Sequence, residues 1–257
     1  MKNDNNVVKN RRKRGIYLLP NILTTTNLFC GFYSTIASMR GEFEQAAFAV
    51  VIAMVLDSLD GRIARMTNTM SKFGAEYDSL ADLIAFGVAP AILAYSWALY
   101  AYGKWGWLAA FLFVVCGALR LARFNIQIAI IESRVFNGLP IPGAASVIAT
   151  GVMFYYYLGG AGKIHNFSIM IVTIALALLM VSNVKYYSFK DLNFFSRKPF
   201  MSFVAIVIIM IIVAAEPQIT LFTFSAGYGL SGPSWWLVKY RKRAVQEKAG
   251  ISLKVKG

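Results

Sequence analysis

The sequence predicts an all-α, polytopic membrane bundle of about eight transmembrane helices, and three observations carry that prediction. Apolar residues make up 58% of the 257 positions and charged residues only 15%, against roughly 45–50% and ~25% in an ordinary soluble domain. The apolar excess is gathered into long uncharged blocks, such as 169–181 and 203–215. The basic residues, which give a formal net charge of +14, collect at the two ends of the chain and in short loops between the blocks. No Pro/Gly/Ser linker or low-complexity tract divides the chain, so one membrane domain is expected over 20–237. A basic segment (1–19) precedes it and a basic tail (238–257) follows.

A helix needs about 20 mainly apolar residues to cross a bilayer core, with shorter stretches tolerated. The amphipathic stretch NVVKNRRKRGIYLLP is expected to lie along the cytoplasmic interface until Pro20 starts the first span. That first apolar block has no small-residue cleavage site behind it and reads as a mature helix rather than a signal peptide. Spans are expected at 21–39, 43–63, 79–101, 105–125, 143–159, 166–184, 200–215 and 217–237, with Pro217 at the last turn. Charge tests the count. With the N-terminus in the cytoplasm, 23 of the 26 basic residues fall on the inside and only Arg40, Lys104 and Lys163 fall outside, the partition that the positive-inside rule requires. Both termini are then cytoplasmic, in a multi-pass protein of the cell inner or plasma membrane. The same distribution turns the net charge away from nucleic acid and toward a lipid bilayer as partner.

Cys30 and Cys116 both sit in apolar surroundings without CxxC or metal-ligand spacing and are expected to be reduced and structural. The lone histidine, His165, lies in a short polar loop with no second histidine to partner it and reads as a solvated residue.

The chemistry concentrates in one segment. Of 12 acidic residues, five fall between Asp57 and Asp82. Asp57, Asp60, Asp78 and Asp82 stand at or inside the cytoplasmic ends of the second and third spans, where an ionised aspartate at a helix centre costs about 2.5–3.5 kcal/mol. Asp57 and Asp60 are three residues apart and Asp78 and Asp82 four apart, so each pair shares a helix face. Facing pairs from an antiparallel hairpin make an oxygen-lined cage, which suits a hard divalent cation, Mg²⁺ or Mn²⁺, rather than zinc. Two such ions would bridge a diphosphate. Gly61 and Gly74 remove side chains where a bulky anionic group must approach, Arg65 is placed to meet a phosphate, and Ser71 is able to donate a hydrogen bond. The plainer alternative, helix-capping or Arg-paired aspartates in an ordinary hairpin, explains one such residue more readily than four in register.

The spacing Asp57-x₂-Asp60-Gly61-x₂-Ala64-Arg65-x₈-Gly74-x₃-Asp78-x₃-Asp82 resembles the signature of the CDP-alcohol phosphotransferases at all eight fixed positions. The resemblance implies a helical membrane fold, usually homodimeric, with a polar cavity open to the cytoplasm. It implies that Asp57, Asp60 and Asp78 hold the metal ions, two per site. Asp82 would both touch a metal and act as base on the acceptor hydroxyl. Asp57, Gly61, Ala64, Arg65, Ser71 and Gly74, with Asn21 and Thr24 at the start of the first span, would contact the CDP-linked lipid. The physics agrees: phosphoryl transfer depends on positioning and charge neutralisation, and a carboxylate beside the acceptor hydroxyl can take its proton. Direct attack is expected, since no nucleophile pair is evident.

Other segments resemble the integral-membrane phosphatidylserine synthases: PNILTTTNLFCGF (20–32), CGALRLARFN (116–125), FNGLPIPGAA (136–145) and VSNVKYYSFKDL (181–192). The substrates implied are CDP-diacylglycerol and L-serine. Arg120 and Arg123, three residues apart, are candidates for the carboxylate of serine, with headgroup snorkelling as the alternative. Asn27, polar within the first span, either faces the cavity or bonds between helices. Rival readings are transfer to glycerol 3-phosphate or an inositol phosphate, which asks for a denser cationic pocket, and prenyl transfer, which normally uses two distant Asp-rich motifs. A cation transporter is the third, and it leaves Arg65 and the two glycines unexplained.

Overall fold

The computed structural model describes residues 2–66, 71–128, 135–187 and 213–254, together with Val204, Val207, Met210 and Ile211. The seventh expected span, 200–215, therefore lies largely outside the described residues. Helix α1 (Lys2–Arg40) takes in the basic N-terminal residues and the first expected span in one element. It stops at Gly41, whose φ of +83° only glycine adopts freely, with Glu42 N–H closing on Ala37 O at 2.9 Å. Helix α2 (Phe43–Met66) follows at once. The pairs Tyr33–Gln45 and Thr24–Asp60 bond across the two helices, an order that makes them antiparallel. Ala37, Ala46, Ala47, Val50 and Ala53 are buried along the seam, and small residues of this kind let helix backbones approach.

Helix α3 (Lys72–Asp82) is capped by Ser71, whose Oγ accepts from Gly74 N–H at 2.9 Å. It begins seven residues before the third expected span. Directly after Asp82 the helix widens into a π turn (Leu83–Val88), resumes as α4 (Ala89–Ala94), widens again over Tyr95–Leu99 and tightens to a 3₁₀ turn over Tyr100–Tyr102. At Gly103 (φ +53°) the chain folds back into α5 (Gly103–Ile128). Asn125 bonds Ser79, and Gly117 faces Gly87, so this second hairpin is also antiparallel. The side chain of Ile141 fills the gap between those two glycines.

Helix α6 (Ile141–Tyr157) has a proline in its first turn, and α7 (Phe167–Val181) is capped by Asn166 Oδ1, which accepts from Ser168 N–H at 2.9 Å. Around this pair of helices the chain adds something the hydropathy pattern does not announce. A two-stranded antiparallel ribbon pairs β1 (Val135–Asn137) with β2 (Lys185–Tyr187). Gly138, at φ +85°, leads out of β1, and a Cβ there would meet Met180 O. Helix α8 (Pro217–Lys254) packs on α6 through Thr150–Ser225 at 2.6 Å and the stacked rings of Phe154 and Phe222. It reaches the ribbon through Tyr186, whose hydroxyl donates to Gly229 O at 3.0 Å.

The helical run Lys72–Ile126 contains an 18-residue stretch of mean hydropathy 1.8 and is long and apolar enough to cross a membrane. Large apolar side chains face outward on several helices, among them Phe29, Phe32, Val55, Phe111, Ile171 and Phe224. Both cysteines are free and His165 is exposed in its loop.

One substitution tests the packing of α1. A Cβ on Gly31 would come within 2.6 Å of Ala85 Cα, a backbone atom of the π turn. Gly31→Ala is therefore expected to cost about 1–3 kcal/mol through overpacking, seen as a lowered thermal midpoint in detergent. An unchanged midpoint would mean that α1 and the π turn do not touch.

Candidate active site

The two hairpins bring the acidic faces of α2 and α3 together against α1. Carboxylate oxygens of Asp57, Asp60 and Asp78 lie within 4.8 Å of one another. Asp82, one turn further along α3, has its carboxyl close enough to that of Asp57 for the two to interact directly. Asp60 is only 4% exposed, and Asp78 Oδ1 is buried without a hydrogen-bond partner. Like charges this close repel, and burial removes the water that would screen them. The cluster calls for compensating positive charge or for protons.

Helix α1 braces both walls. Thr24 Oγ1 donates to Asp60 Oδ2 at 3.1 Å and Asn27 Nδ2 donates to Asp82 Oδ1 at 3.2 Å. Asn21 abuts Gly74, where a Cβ would stand 3.5 Å from Asn21 Oδ1 and 3.1 Å from Ser71 Oγ. Thr25 and Tyr77 share a further hydrogen bond of 2.9 Å. Thr24, expected to contact the nucleotide, thus gives its proton to an aspartate and orients it. Ser71 uses its oxygen to cap α3, which leaves its O–H available as a donor. Gly61 behaves as the sequence suggests: a Cβ there would meet nothing within 4 Å, so the space above it is open. Ala64 and Arg65 stand in the last turn of α2, but their side chains lie outside the described residues.

The donor set fits a hard cation. A Ca²⁺- or Mg²⁺-sized ion, at about 2.0–2.6 Å from each oxygen, is reached by oxygens up to about 4–5 Å apart. Asp57, Asp60 and Asp78 meet that limit with carboxylate oxygen alone, and the unpaired Asp78 Oδ1 is an acceptor awaiting a partner.

The candidate acceptor residues sit near the end of α5. Arg120 is buried, 5.6 Å over the Phe124 ring and beside Tyr228 of α8. Arg123 Nη2 donates to Asn183 Oδ1 at 2.9 Å. Asn125 Nδ2 donates to Ser79 Oγ at 3.0 Å, which ties this end of α5 to the residue next to Asp78. Tyr77, Asn125, Asn183 and Tyr228 are neighbours of the site that sequence reasoning missed. Asn183 and Asn125 carried a signal, as polar residues at the ends of apolar runs. Tyr228 carried none, because nothing in the spacing of a generic hydrophobic helix marks one tyrosine.

Comparison with known proteins agrees with this geometry. The chain is 39% identical over 225 residues to the CDP-diacylglycerol–serine O-phosphatidyltransferase of Helicobacter pylori, covering 86% of this chain and 92% of that protein. It is 36% identical to the Bacillus subtilis protein of the same name, over 67% of this chain and 91% of the relative. It is 39% identical to the archaetidylserine synthase of Methanothermobacter thermautotrophicus, over 65% and 69% of the two chains. The CDP-alcohol phosphatidyltransferase family profile matches residues 17–182, a stretch that contains every aspartate of the cluster and the α1 residues that brace it, and the chain belongs to that family.

Proposed function

We infer that the chain transfers the phosphatidyl group of CDP-diacylglycerol to L-serine, giving phosphatidylserine and CMP. The observation that carries this reading is the convergence of Asp57, Asp60 and Asp78 with Asp82 beside them, in a family whose relatives are named for serine transfer. Asp82 takes the proton of the serine hydroxyl. The hydroxyl oxygen forms a bond to the phosphorus that carries the diacylglycerol, and the bond from that phosphorus to the CMP oxygen breaks. Attack is direct and in line. Asn21, Thr24, Asp57, Gly61, Ala64, Arg65, Ser71 and Gly74 hold the CDP part, with the open space above Gly61 receiving it, and Arg120 or Arg123 holds the carboxylate of serine. Asp57, Asp60, Asp78 and Asp82 hold Mg²⁺ or Mn²⁺, two ions per site, which supply positive charge against the diphosphate.

The same reading makes the chain a multi-pass inner or plasma membrane protein of eight spans, with 20–237 as the membrane domain and the active site and both termini in the cytoplasm. The outward-facing Phe29, Phe32, Phe111 and Phe224 support a bilayer around it. The 55-residue run Lys72–Ile126, bent at Gly103, has length for two of the spans. The functional unit is a homodimer.

The test is CMP release from CDP-diacylglycerol by purified protein in detergent with Mg²⁺ or Mn²⁺, given L-serine, glycerol 3-phosphate, inositol or no acceptor. Serine-dependent release is expected. Release only with another alcohol removes the serine assignment, and no release with any acceptor removes catalysis. In the same assay Thr24→Val, which keeps the shape and deletes the donor to Asp60, is expected to raise the metal concentration for half-maximal rate about 10–100-fold, the usual effect of losing a residue that orients a metal ligand.

A further inference from the structure

Asn27 is left half-explained by its place in the brace. It is fully buried, at 0% exposure, and its Nδ2 is committed to Asp82 Oδ1 at 3.2 Å. Its Oδ1 is buried and has no hydrogen-bond partner among the described residues. The amide stands with its NH₂ toward Asp82, the orientation that a carboxylate oxygen acting as acceptor requires, and the carbonyl oxygen is the end left over. Buried amide oxygens are paired in the great majority of native structures, and an orphan asks for the donor that completes it.

That donor has to be small, polar and adjacent to Asp82. On the reading of the site given above, the acceptor's own ammonium group meets the description. The acceptor places its hydroxyl on Asp82, and in serine the ammonium stands on the neighbouring carbon, carrying three N–H donors and a full charge. A serine seated with its hydroxyl on Asp82 brings its nitrogen to the side chain that already touches the other face of that carboxylate. We propose that Asn27 Oδ1 receives the ammonium group of the acceptor, so that Asn27 is a specificity-determining residue separating an amino alcohol from an alcohol without nitrogen. The division of labour is then complete: the hydroxyl goes to Asp82, the ammonium to α1, and the carboxylate to the arginines of α5.

The experiment compares acceptors rather than total activity, because Asn27 also touches Asp82 and its loss will lower every rate to some degree. The value of kcat/KM is measured in wild type and Asn27→Ala for L-serine and for 3-hydroxypropionate, which is serine with hydrogen in place of the amino group. CMP release to water is a second nitrogen-free reference. A charge-assisted hydrogen bond predicts a fall of about tenfold to a hundredfold for serine beyond any fall for the nitrogen-free acceptors, expressed mainly in KM for serine. Equal losses with all acceptors would overturn the proposal and leave Asn27 as a support for Asp82. Unchanged serine kinetics would overturn it as well. Asn27→Ser, which keeps an oxygen acceptor in a smaller side chain, is expected to lie between wild type and Asn27→Ala, and it takes over the comparison if Asn27→Ala does not fold. The wild-type arm separates this proposal from the reading beneath it. A wild-type protein without serine-dependent release removes both, whereas serine-dependent release with an unselective loss in the variants removes only the role of Asn27.

Discussion

Replacing Asp82 by asparagine is expected to lower serine-dependent CMP release by about 10²–10⁴-fold, the range lost with a general base. The variant is nearly isosteric, and its amide oxygen can still accept from Asn27 Nδ2, so the bond from α1 survives. What disappears is the capacity to take a proton from the acceptor. The loss is expected in kcat, with the KM for CDP-diacylglycerol changing far less, because Asp57, Asp60 and Asp78 still cluster without it. Near wild-type turnover in Asp82→Asn would move the base elsewhere.

Removal of divalent cation is the second large effect. Chelation with EDTA is expected to reduce release to background, and addition of Mg²⁺ or Mn²⁺ to restore it, since a triad of ionised carboxylates within 4.8 Å repels itself unless positive charge offsets it. Asp78→Asn sharpens the point. Asp78 presents a buried oxygen with no hydrogen-bond partner among the described residues, so its replacement is expected to raise the half-saturating metal concentration by more than the roughly 10–100-fold set by an outer residue such as Thr24. A variant at Asp78 with an unaltered metal requirement would place the cations away from this cluster.

Much of this site was legible in the sequence because its chemistry is local. The spacings of Asp57 with Asp60 and of Asp78 with Asp82 state which carboxylates share a face, and an antiparallel pairing of the spans is enough to make the faces meet. Helix positions were readable for the same reason: α2, α5, α6 and α7 follow the apolar blocks within a few residues. The remainder depends on contacts between distant segments. Nothing in PNILTTTN says that the hydroxyl of Thr24 meets Asp60 thirty-six residues later. The π turn after Asp82 shifts every later side chain on that helix relative to the aspartates, and a regular helical wheel does not anticipate it. The ribbon of residues 135–137 and 185–187 pairs segments fifty residues apart and is too short to show an alternating pattern. Tyr228 reaches Arg120 only because α8 returns along α6.

The brace formed by α1 bears on how such a protein is made. Synthesis delivers α1 before the hairpin that carries the acids. In a chain threading a bilayer, the hydroxyl of Thr24 and the amide of Asn27 are therefore already embedded when Asp60 and then Asp82 arrive. Each carboxylate enters beside a waiting donor rather than bare hydrocarbon, where an unpartnered charge is most costly. The first helix is in this sense a receptor for the second and third, and assembly of the site and insertion of the chain become one event.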